Sequence, residues 1–366
     1  MMQSLDEKTW KPVSIGSQFD LYRGRESKTT VIEGGVLPFV SAKKADNGYR
    51  MFVKSAKTTI NGNTISLNNN GDGGAGFGFY QPHEYTIDVN TTALVPLSNV
   101  PMSTAIGLFW TGCFSWMHKY FGNARTLSNK RAEITKIMLP VTDAGEPDYE
   151  YMAEYAQNKR EEMLTKYREY VEARIAELGD AVEVPALDEK EWKPFPVVSL
   201  FSSIVPGKGK GLNHLNKTDE GGVNYIGATN RNNGVLCRVV EDAYSRSMIL
   251  DGNCIGFIKN GDGSAGFAIY KAERFISTSD VLYGYADWIN EFTGLFFVVA
   301  QDMIEHKYSH GYKRNKEHLA GDKVMLPVTD SGEPDYEYME QYAKNMMLRK
   351  YRQYLSFIRK ALKEQL

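Results

Sequence analysis

The chain repeats itself, and this feature constrains its fold more than any other. Three blocks occur twice in the same order: LDEKTWKP (5–12) returns as LDEKEWKP (187–194), NGDGGAGF (70–77) as NGDGSAGF (260–267), and MLPVTDAGEPDYEYM (138–152) as MLPVTDSGEPDYEYM (325–339). A repeat of this length predicts two copies of a whole domain, because solenoids are built from much shorter units.

Each copy divides into a globular part and a helical part. The globular parts, 1–139 and 187–326, are rich in Gly, Asn, Thr and aromatic residues and carry short strand-like runs such as GFGFY and GFAIY. The segments 140–186 and 327–366 contain long stretches with apolar residues at steps of three and four, which is typical of amphipathic helices with a coiled-coil-like stripe. The sequence therefore predicts an α+β fold of two tandem strand-rich α/β domains, each followed by a long helix.

Pattern and charge predict more about the two helices. Pro147 is expected in the first turn of its helix, with carboxylates near the positive helix end. Tyr167, Val171 and Ile175 are predicted to form the core between the helices. The segment 140–186 carries 5 basic and 12 acidic residues, so it suits contact with protein better than contact with a phosphate backbone.

The glycine-rich block has the G-x-G-x-x-G spacing of a dinucleotide loop in both copies. A dinucleotide site needs a helix after the glycines, because the helix N-terminus receives the pyrophosphate. Here strand-like runs with alternating apolar residues follow Gly76 and Gly266. We therefore predict a hairpin that joins strand to strand, either as a structural turn or as a loop that faces DNA.

Composition and motifs argue against several other classes. Three cysteines without a C-x-x-C pair favour a reducing compartment, and the polar opening MMQSLDEKTW is unlike a signal peptide. The longest strongly apolar run, 294–300, is too short for a membrane span, so a cytoplasmic protein is expected. His306 and His310, with His318 after them, have a spacing that could share a metal, but the first copy lacks matching histidines and no metal is predicted. No catalytic motif is found.

Four basic or amide-rich stretches occupy equivalent places in the two copies. They are SAKKADNGYR (41–50), HKYFGNARTLSNKR (118–131), ATNRNNG (228–234) and HKYSHGYKRNKEH (306–318). Lys and Arg reach phosphates, whereas Arg and Asn can form paired hydrogen bonds to base edges. A single charged run is usually a solvated face, but recurrence at equivalent places favours contact with DNA.

In their order, repeated twice, these blocks resemble the specificity (S) subunits of Type I and related Type IIB restriction-modification systems. The matching words are W-K-P followed by LYRGRE, NNGV (232–235), NGDGSAGFAIY, YSHGYKR (308–314) and MLPVTDSGEPDYEYM. The resemblance implies two target-recognition domains, 1–139 and 187–326, that read the halves of a bipartite target. It also implies spacer helices in 140–186 and 327–366, packed as an antiparallel coiled coil, that dock methyltransferase subunits and a restriction subunit.

By the same resemblance the chain is non-catalytic and holds no cofactor, and S-adenosylmethionine is expected on the methyltransferase partner. The predicted partners are therefore double-stranded DNA and those subunits, with no membrane. The two readers differ outside their shared blocks, which predicts an asymmetric target. Rival hypotheses are a tandem scaffold that assembles proteins without reading DNA, and a self-contained enzyme that would turn over substrate alone.

The predicted contact residues fall into three groups. In the first reader they are Lys43, Lys44, Asn47, Arg50, Asn70, Lys119 and Arg125. In the second they are Asn230, Arg231, Asn232, Asn233, Asn260, Lys313 and Arg314. Arg and Asn are predicted to read bases, and Lys to hold phosphates. For partner docking, the acidic helix offers Glu161, Glu162, Glu169 and Glu172.

Overall fold

The computed structural model of the chain describes residues 2–70, 74–122, 125–261, 263–309 and 311–363. The chain forms two compact units, residues 1–168 and residues 169–366. Each unit holds one copy of the repeat, and the boundary falls inside a long helix, α3 (Tyr149–Leu178). The finer division into globular parts and spacers at 139, 186 and 326 stays a prediction.

The first unit is built on two small sheets and a two-stranded ribbon. Its described strands are β1 (Trp10–Ser14), β2 (Phe19–Arg23), β3 (Ile32–Val40), β4 (Tyr49–Ser55), β5 (Thr64–Asn68), β6 (Gly78–Gln81), β7 (Thr86–Ile87), β8 (Thr91–Pro96) and β9 (Lys136–Pro140). The order β2-β8-β5-β6 forms a four-stranded antiparallel sheet, β4-β3-β7 forms a second sheet, and β1 pairs with β9. Helices α1 (Thr104–Phe114) and α2 (Asn129–Ile134) precede α3.

The second unit repeats this plan with a larger second sheet. Its described strands are β10 (Trp192–Pro196), β11 (Ser203–Pro206), β12 (Lys217–Thr218), β13 (Val223–Ile226), β14 (Val235–Val239), β15 (Ile249–Leu250), β16 (Cys254–Ile258), β17 (Ala268–Lys271), β18 (Phe275–Ser277), β19 (Val281–Tyr285) and β20 (Lys323–Pro327). The sheets are β11-β19-β16-β17 and β12-β14-β13-β18-β15, and β10 pairs with β20. Helices α4 (Glu291–Asp302), α5 (Lys316–Gly321) and α6 (Tyr336–Lys363) complete the unit.

The core of each unit lies between its four-stranded sheet and the helix that follows the last strand of that sheet. In the first unit Trp110 of α1 is fully buried and meets Phe19 of β2 edge-on, with ring centroids 4.8 Å apart. In the second unit Phe297 of α4 takes the equivalent place and packs edge-on against Phe201, with centroids 5.6 Å apart. Aromatic pairs of this geometry add to the apolar burial that holds helix on sheet. The predicted α+β class is confirmed in both halves.

Each long helix begins at an aspartate that is also ion-paired. The Asp148 carboxylate accepts a hydrogen bond from the Tyr151 amide and lies 2.7 Å from the ammonium of Lys8. Asp335 does the same with the Tyr338 amide and Lys190 in the second unit. These aspartates are the N-caps, so Pro147 precedes the cap instead of lying in the first turn as predicted. The Lys8 partner and the bonded amide keep the pKa of Asp148 low although its partial burial acts in the opposite sense.

Inside the second unit, the end of α3 and the segment after it run antiparallel to α6. The rings of Tyr170 and Tyr351 meet edge-on with centroids 6.4 Å apart, and the amide of Val182 donates to the side chain of Asn345. Further along, the Tyr338 hydroxyl donates to the carbonyl of Pro185. The residue numbers of these contacts rise along α3 and the segment after it while they fall along α6, so the two run antiparallel.

The predicted helix core is partly correct. Val171 is fully buried and Ile175 is half-buried, whereas Tyr167 is 43% exposed. Tyr167 is therefore wrong as a core residue, because its place on α3 leaves much of its ring in solvent. Across the part of the chain that the structure describes, every helix is too short or too polar to cross a membrane.

Candidate nucleic-acid interface

The glycine-rich block forms a hairpin in both units, as predicted. Strand β5 pairs with β6, and β16 pairs with β17, across the turns 69–77 and 259–267. A strand follows each turn, so no helix N-terminus is available for a pyrophosphate. Gly266 has φ +94°, and a Cβ there would lie 2.8 Å from the carbonyl oxygen of Glu305, so only glycine fits. Gly71 and Gly73 of the first block lie outside the described residues.

The hairpin turn lies at the sheet end where one neighbouring strand ends and another begins. In the first unit β2 ends and β8 begins beside it, since Arg23 pairs with Thr92 and Asn68 pairs with Thr91. In the second unit the pairs Pro206–Leu282 and Ile258–Val281 give the same arrangement. Loops at a sheet end are free to differ between copies while the strands hold their positions.

In the first unit, buried asparagines bring three predicted segments together. The side-chain amide of Asn68 donates to the carbonyl of Lys43 at 2.7 Å, which ties the loop 41–48 to the hairpin. The amide of Asn69 donates to the carbonyl of Leu127 at 2.5 Å, and the Leu127 amide returns a bond to Asn69 at 2.9 Å. The loop 41–50, the hairpin turn and the stretch 118–131 therefore form one surface.

The second unit brings its equivalent segments together with different chemistry. The Ser264 hydroxyl of the hairpin turn donates to the side chain of Asn230 at 3.1 Å. The backbone amide of Arg314 donates to the carbonyl of Lys259 at 2.9 Å. The loop 228–234, the turn 259–267 and the stretch 306–318 thus meet in the second unit. We call the two surfaces reader face 1 and reader face 2.

Reader face 1 presents several exposed cations. Lys44, Arg50 and Lys119 are exposed, and within the described residues no hydrogen bond or ion pair holds their side chains. Arg125 is exposed and lies over the ring of Phe121 at 5.5 Å, at a turn where Gly122 and Arg125 pair. Lys43 is already engaged, 2.7 Å from the Asp46 carboxylate.

Reader face 2 presents fewer free cations. Arg231 and Lys313 are exposed, and their side chains have no hydrogen bond or ion pair in the described part of the chain. Asn260 is half-buried at the hairpin turn, as is Asn70 in the first unit. The lower charge of this face agrees with the composition of the globular parts, since residues 1–139 carry 15 basic and 10 acidic residues and residues 187–326 carry 16 and 17.

Three predicted asparagines serve mainly to hold their own loops. The amides of Asn47 and Asn233 each donate at 3.0 Å to a strand carbonyl, of Tyr80 and Tyr270 respectively. Both adopt left-handed backbone, with φ of 52° and 48°, which asparagine tolerates better than most residues. Asn232 donates to the carbonyl of Val235. Their side-chain amides donate within their own unit, so we no longer expect base contacts from Asn47, Asn232 and Asn233.

Arg314 is wrong as a DNA contact. It is fully buried, and its guanidinium pairs with Asp322 at 2.7 Å and donates to the carbonyl of Gly266 at 3.1 Å. Sequence reasoning placed it on the surface because it belongs to the basic stretch 306–318. Burial lowers the pKa of Arg314, and the facing Asp322 carboxylate opposes that shift.

The structure also shows candidate contacts that the sequence analysis missed. Arg25 follows β2 and Lys208 follows β11, each at the sheet end that carries the hairpin turn, and both are exposed. A basic-Gly-basic pattern, RGR at 23–25 and KGK at 208–210, is the signal that could have found them. Tyr312 is 50% exposed and stacks on His318 with centroids 4.3 Å apart, in the place that Arg125 takes in the first unit.

The acidic residues predicted for docking all lie exposed on α3. They are Glu161, Glu162, Glu169 and Glu172. Glu162 is paired within the helix to Lys159 at 2.8 Å and Lys166 at 2.7 Å, and these hydrogen bonds lower its pKa to about 2. Glu161 accepts a hydrogen bond from the side-chain amide of Gln157 at 3.2 Å, whereas no hydrogen bond or ion pair holds Glu169 or Glu172 among the described residues.

The pair His306 and His310 forms no metal site within the described residues. His310 lies outside the described residues, and His318 is stacked on an aromatic ring. Among the residues that are described, no group of three or more potential ligands comes together.

The chain is similar to proteins of one kind over nearly its whole length. Residues 7–166 and 189–354 each match the family described as Type I restriction modification DNA specificity domain. Over 343 residues, 91% of this chain and 93% of the relative, it is 26% identical to the specificity subunit S.BcgI of a Type II restriction enzyme from Heyndrickxia coagulans.

Two solved structures are also similar to this chain. The S subunit of a Type I restriction-modification system from M. genitalium matches with a TM-score of 0.48 and 15% identity, covering 99% of this chain and 94% of that one. The HsdS subunit from Thermoanaerobacter tengcongensis matches with a TM-score of 0.31 and 10% identity, covering 96% and 91%.

Proposed function

Because this chain belongs to the family of Type I restriction modification DNA specificity domains, we propose that its two units read the two halves of one bipartite, asymmetric DNA target. The chain is the specificity subunit of a restriction-modification system, and its part there is recognition, not catalysis. The observation that carries the proposal is the convergence of loop, hairpin turn and basic stretch at one sheet end in both units.

The two reader faces carry different side chains, which supports an asymmetric target. Where reader face 1 has the cation Arg125, reader face 2 has the aromatic Tyr312. We propose that Arg50, Arg125, Asn70, Asn230, Arg231 and Asn260 read bases, and that Lys44, Lys119 and Lys313 hold phosphates. Arg and Asn match base edges in pairs of hydrogen bonds, whereas Lys acts as a point charge.

We further propose that the long helices separate the readers and dock the catalytic subunits. The exposed carboxylates of Glu169 and Glu172 are the proposed docking charges, and Glu162 contributes less because two lysines already pair with it. The methyltransferase subunits would hold S-adenosylmethionine, and a restriction subunit would join them. DNA and these subunits as partners would place the chain in the cytoplasm.

The docking proposal has a matched pair of variants. Reversing the charge of Glu169 and Glu172 to Lys is expected to weaken co-purification of the methyltransferase subunit. Reversing Glu162 alone is expected to weaken it less. If all of these variants retain the partner as the unchanged chain does, the carboxylates are not part of the docking surface.

The reading proposal is tested in the complex with the methyltransferase subunits. Arg231→Ala is expected to relax preference at one half-site by about 1–3 kcal/mol and to spare the other half-site. Arg125→Ala is expected to do the reverse, so that each variant is the control for the other. Equal weakening at both half-sites would refute these assignments, and an unchanged chain without any sequence preference would favour the scaffold hypothesis.

A further inference from the structure

The second unit contains a buried ionic cluster beside its reader face. We call it the Arg314 cluster, and it consists of Arg314, Asp322, Gln301 and Tyr308. Arg314 is 0% exposed and Asp322 is 3% exposed, and the Tyr308 hydroxyl donates to the same Asp322 oxygen at 2.8 Å. The guanidinium also lies over the rings of Phe257 and Tyr308, at 5.1 and 5.4 Å. All charged atoms of the cluster therefore have partners inside the protein.

The cluster forms hydrogen bonds to both ends of the hairpin turn. At the start of the turn, the Arg314 amide donates to the carbonyl of Lys259 at 2.9 Å. At its end, the carbonyl of Gly266 accepts from the Arg314 guanidinium and from the Gln301 amide, both at 3.1 Å. Arg314 also donates to the carbonyl oxygen of the Gln301 side chain. Asn260, a proposed base reader, lies between these two anchored ends.

The first unit fills the equivalent place with a mainly apolar set. Leu127 makes the same backbone bond to the start of its hairpin turn that Arg314 makes, donating to Asn69 at 2.9 Å. Counting from this match, Phe114 takes the place of Gln301, Phe121 that of Tyr308, and Thr135 that of Asp322. Leu127 and Phe114 are both fully buried. The same fold is therefore compatible with either set.

Stability alone does not account for the ionic version. Replacing a buried ion pair by well-packed apolar residues is often neutral or stabilising, because the charges lose their hydration. Apolar burial is non-directional, whereas charge-assisted hydrogen bonds fix distance and angle. The ionic set therefore fixes the Gly266 end of the turn through the Arg314 side chain, whereas the turn of the first unit is held at its start by the side-chain amide of Asn69 on the Leu127 carbonyl and not by its apolar set.

We propose that Arg314 is a positioning residue that sets the half-site specificity of the second reader by fixing the hairpin turn that carries Asn260. This inference rests on the proposed function, since it assumes that reader face 2 reads DNA. Arg314 itself touches no base. It acts through the carbonyls of Lys259 and Gly266.

The test uses the full chain in complex with its methyltransferase subunits. In the triple variant Arg314→Leu, Gln301→Phe, Asp322→Thr, the second unit receives three of the four residues of the first unit's set and keeps Tyr308. Arg314→Lys keeps the charge but cannot bond Asp322, Gln301 and Gly266 together. Competition binding with duplexes altered in one half-site measures discrimination at each half, and the melting temperature reports folding.

Both variants are expected to lose about tenfold in discrimination at the second half-site, the size of one lost base contact, while the first half-site is unchanged. The triple variant is expected to lose this discrimination while its melting temperature stays nearly unchanged. If the Arg314 cluster only stabilised the fold, discrimination would not fall without a fall in melting temperature. Full discrimination at the second half-site in the folded triple variant would overturn the inference. Should that variant not fold, full discrimination by Arg314→Lys would overturn it equally.

The outcome also separates this inference from the function on which it depends. An unchanged complex that binds all duplexes alike would contradict the reading function itself. An unchanged complex that is selective, together with fully selective variants, would contradict only the role of Arg314.

Discussion

The buried pair of Arg314 and Asp322 permits a stability prediction in which single and combined changes have opposite consequences. Among the described residues, Arg314→Leu leaves the buried Asp322 carboxylate with two partners, the Tyr308 hydroxyl at 2.8 Å and the Lys307 ammonium at 3.7 Å. Removing one member of a buried ion pair lowers the free energy of unfolding by about 3–5 kcal/mol. Because Asp322 keeps two partners, we expect a loss of about 3 kcal/mol for this variant. In a unit of this size that loss lowers the melting temperature by about 6–12 °C.

The combined change should recover most of that loss. Adding Asp322→Thr removes the stranded charge, and Gln301→Phe fills the space that the guanidinium leaves. The triple variant is expected to melt within about 3 °C of the unchanged chain, since an apolar replacement of a whole ion pair is near neutral. Differential scanning calorimetry of the full chain measures both variants. A single variant that melts within about 2 °C of the unchanged chain, or a triple variant no more stable than the single one, would refute the reasoning.

Three further predictions concern the hairpin turn, a buried carboxylate and the phosphate contacts. Gly266→Ala should destabilise far more than Gly263→Ala, because both have positive φ but only the first Cβ would meet backbone, at 2.8 Å; equal melting temperatures would contradict this. Burial raises the pKa of Asp302 to about 6, so the contribution of this carboxyl to stability is full below about pH 4 and is lost as the pH rises through 6. Asp302→Asn should therefore make the melting temperature less dependent on pH in this range and raise the melting temperature at about pH 7. A variant whose melting temperature depends on pH as that of the unchanged chain does would contradict this prediction. Arg25→Ala and Lys208→Ala should weaken DNA binding for all sequences alike and reduce its salt dependence, as binding titrations at several salt concentrations would show; a change of sequence preference would argue for base contact instead.

Periodicity and repetition predicted the elements that depend on local pattern. The steps of three and four gave the helices α3 and α6, and the alternating apolar residues after Gly76 and Gly266 gave the two hairpins. Recurrence of the basic stretches predicted contact with DNA, and the structure brings these segments together at the reader faces. Each of these inferences needed only short-range spacing or comparison of one copy with the other.

What the sequence could not give depends on contacts between residues distant along the chain. In the sequence Arg314 is one more cation in a basic stretch, and its burial is explained by its partners Asp322, Gln301 and the Gly266 carbonyl. From the sequence, the Asn47 amide is predicted to contact a base, but strand β6 places the Tyr80 carbonyl within hydrogen-bond distance of it. Tertiary partners decided these roles, and no spacing rule reveals them.

The central claim is that one chain presents two different readers. The most direct measurement is sequencing of methylated positions in DNA from cells that make this chain together with its methyltransferase subunits. The account predicts a single motif of two unlike halves, separated by a fixed number of unread base pairs. A palindromic motif, a continuous one, or methylation without any motif would contradict it.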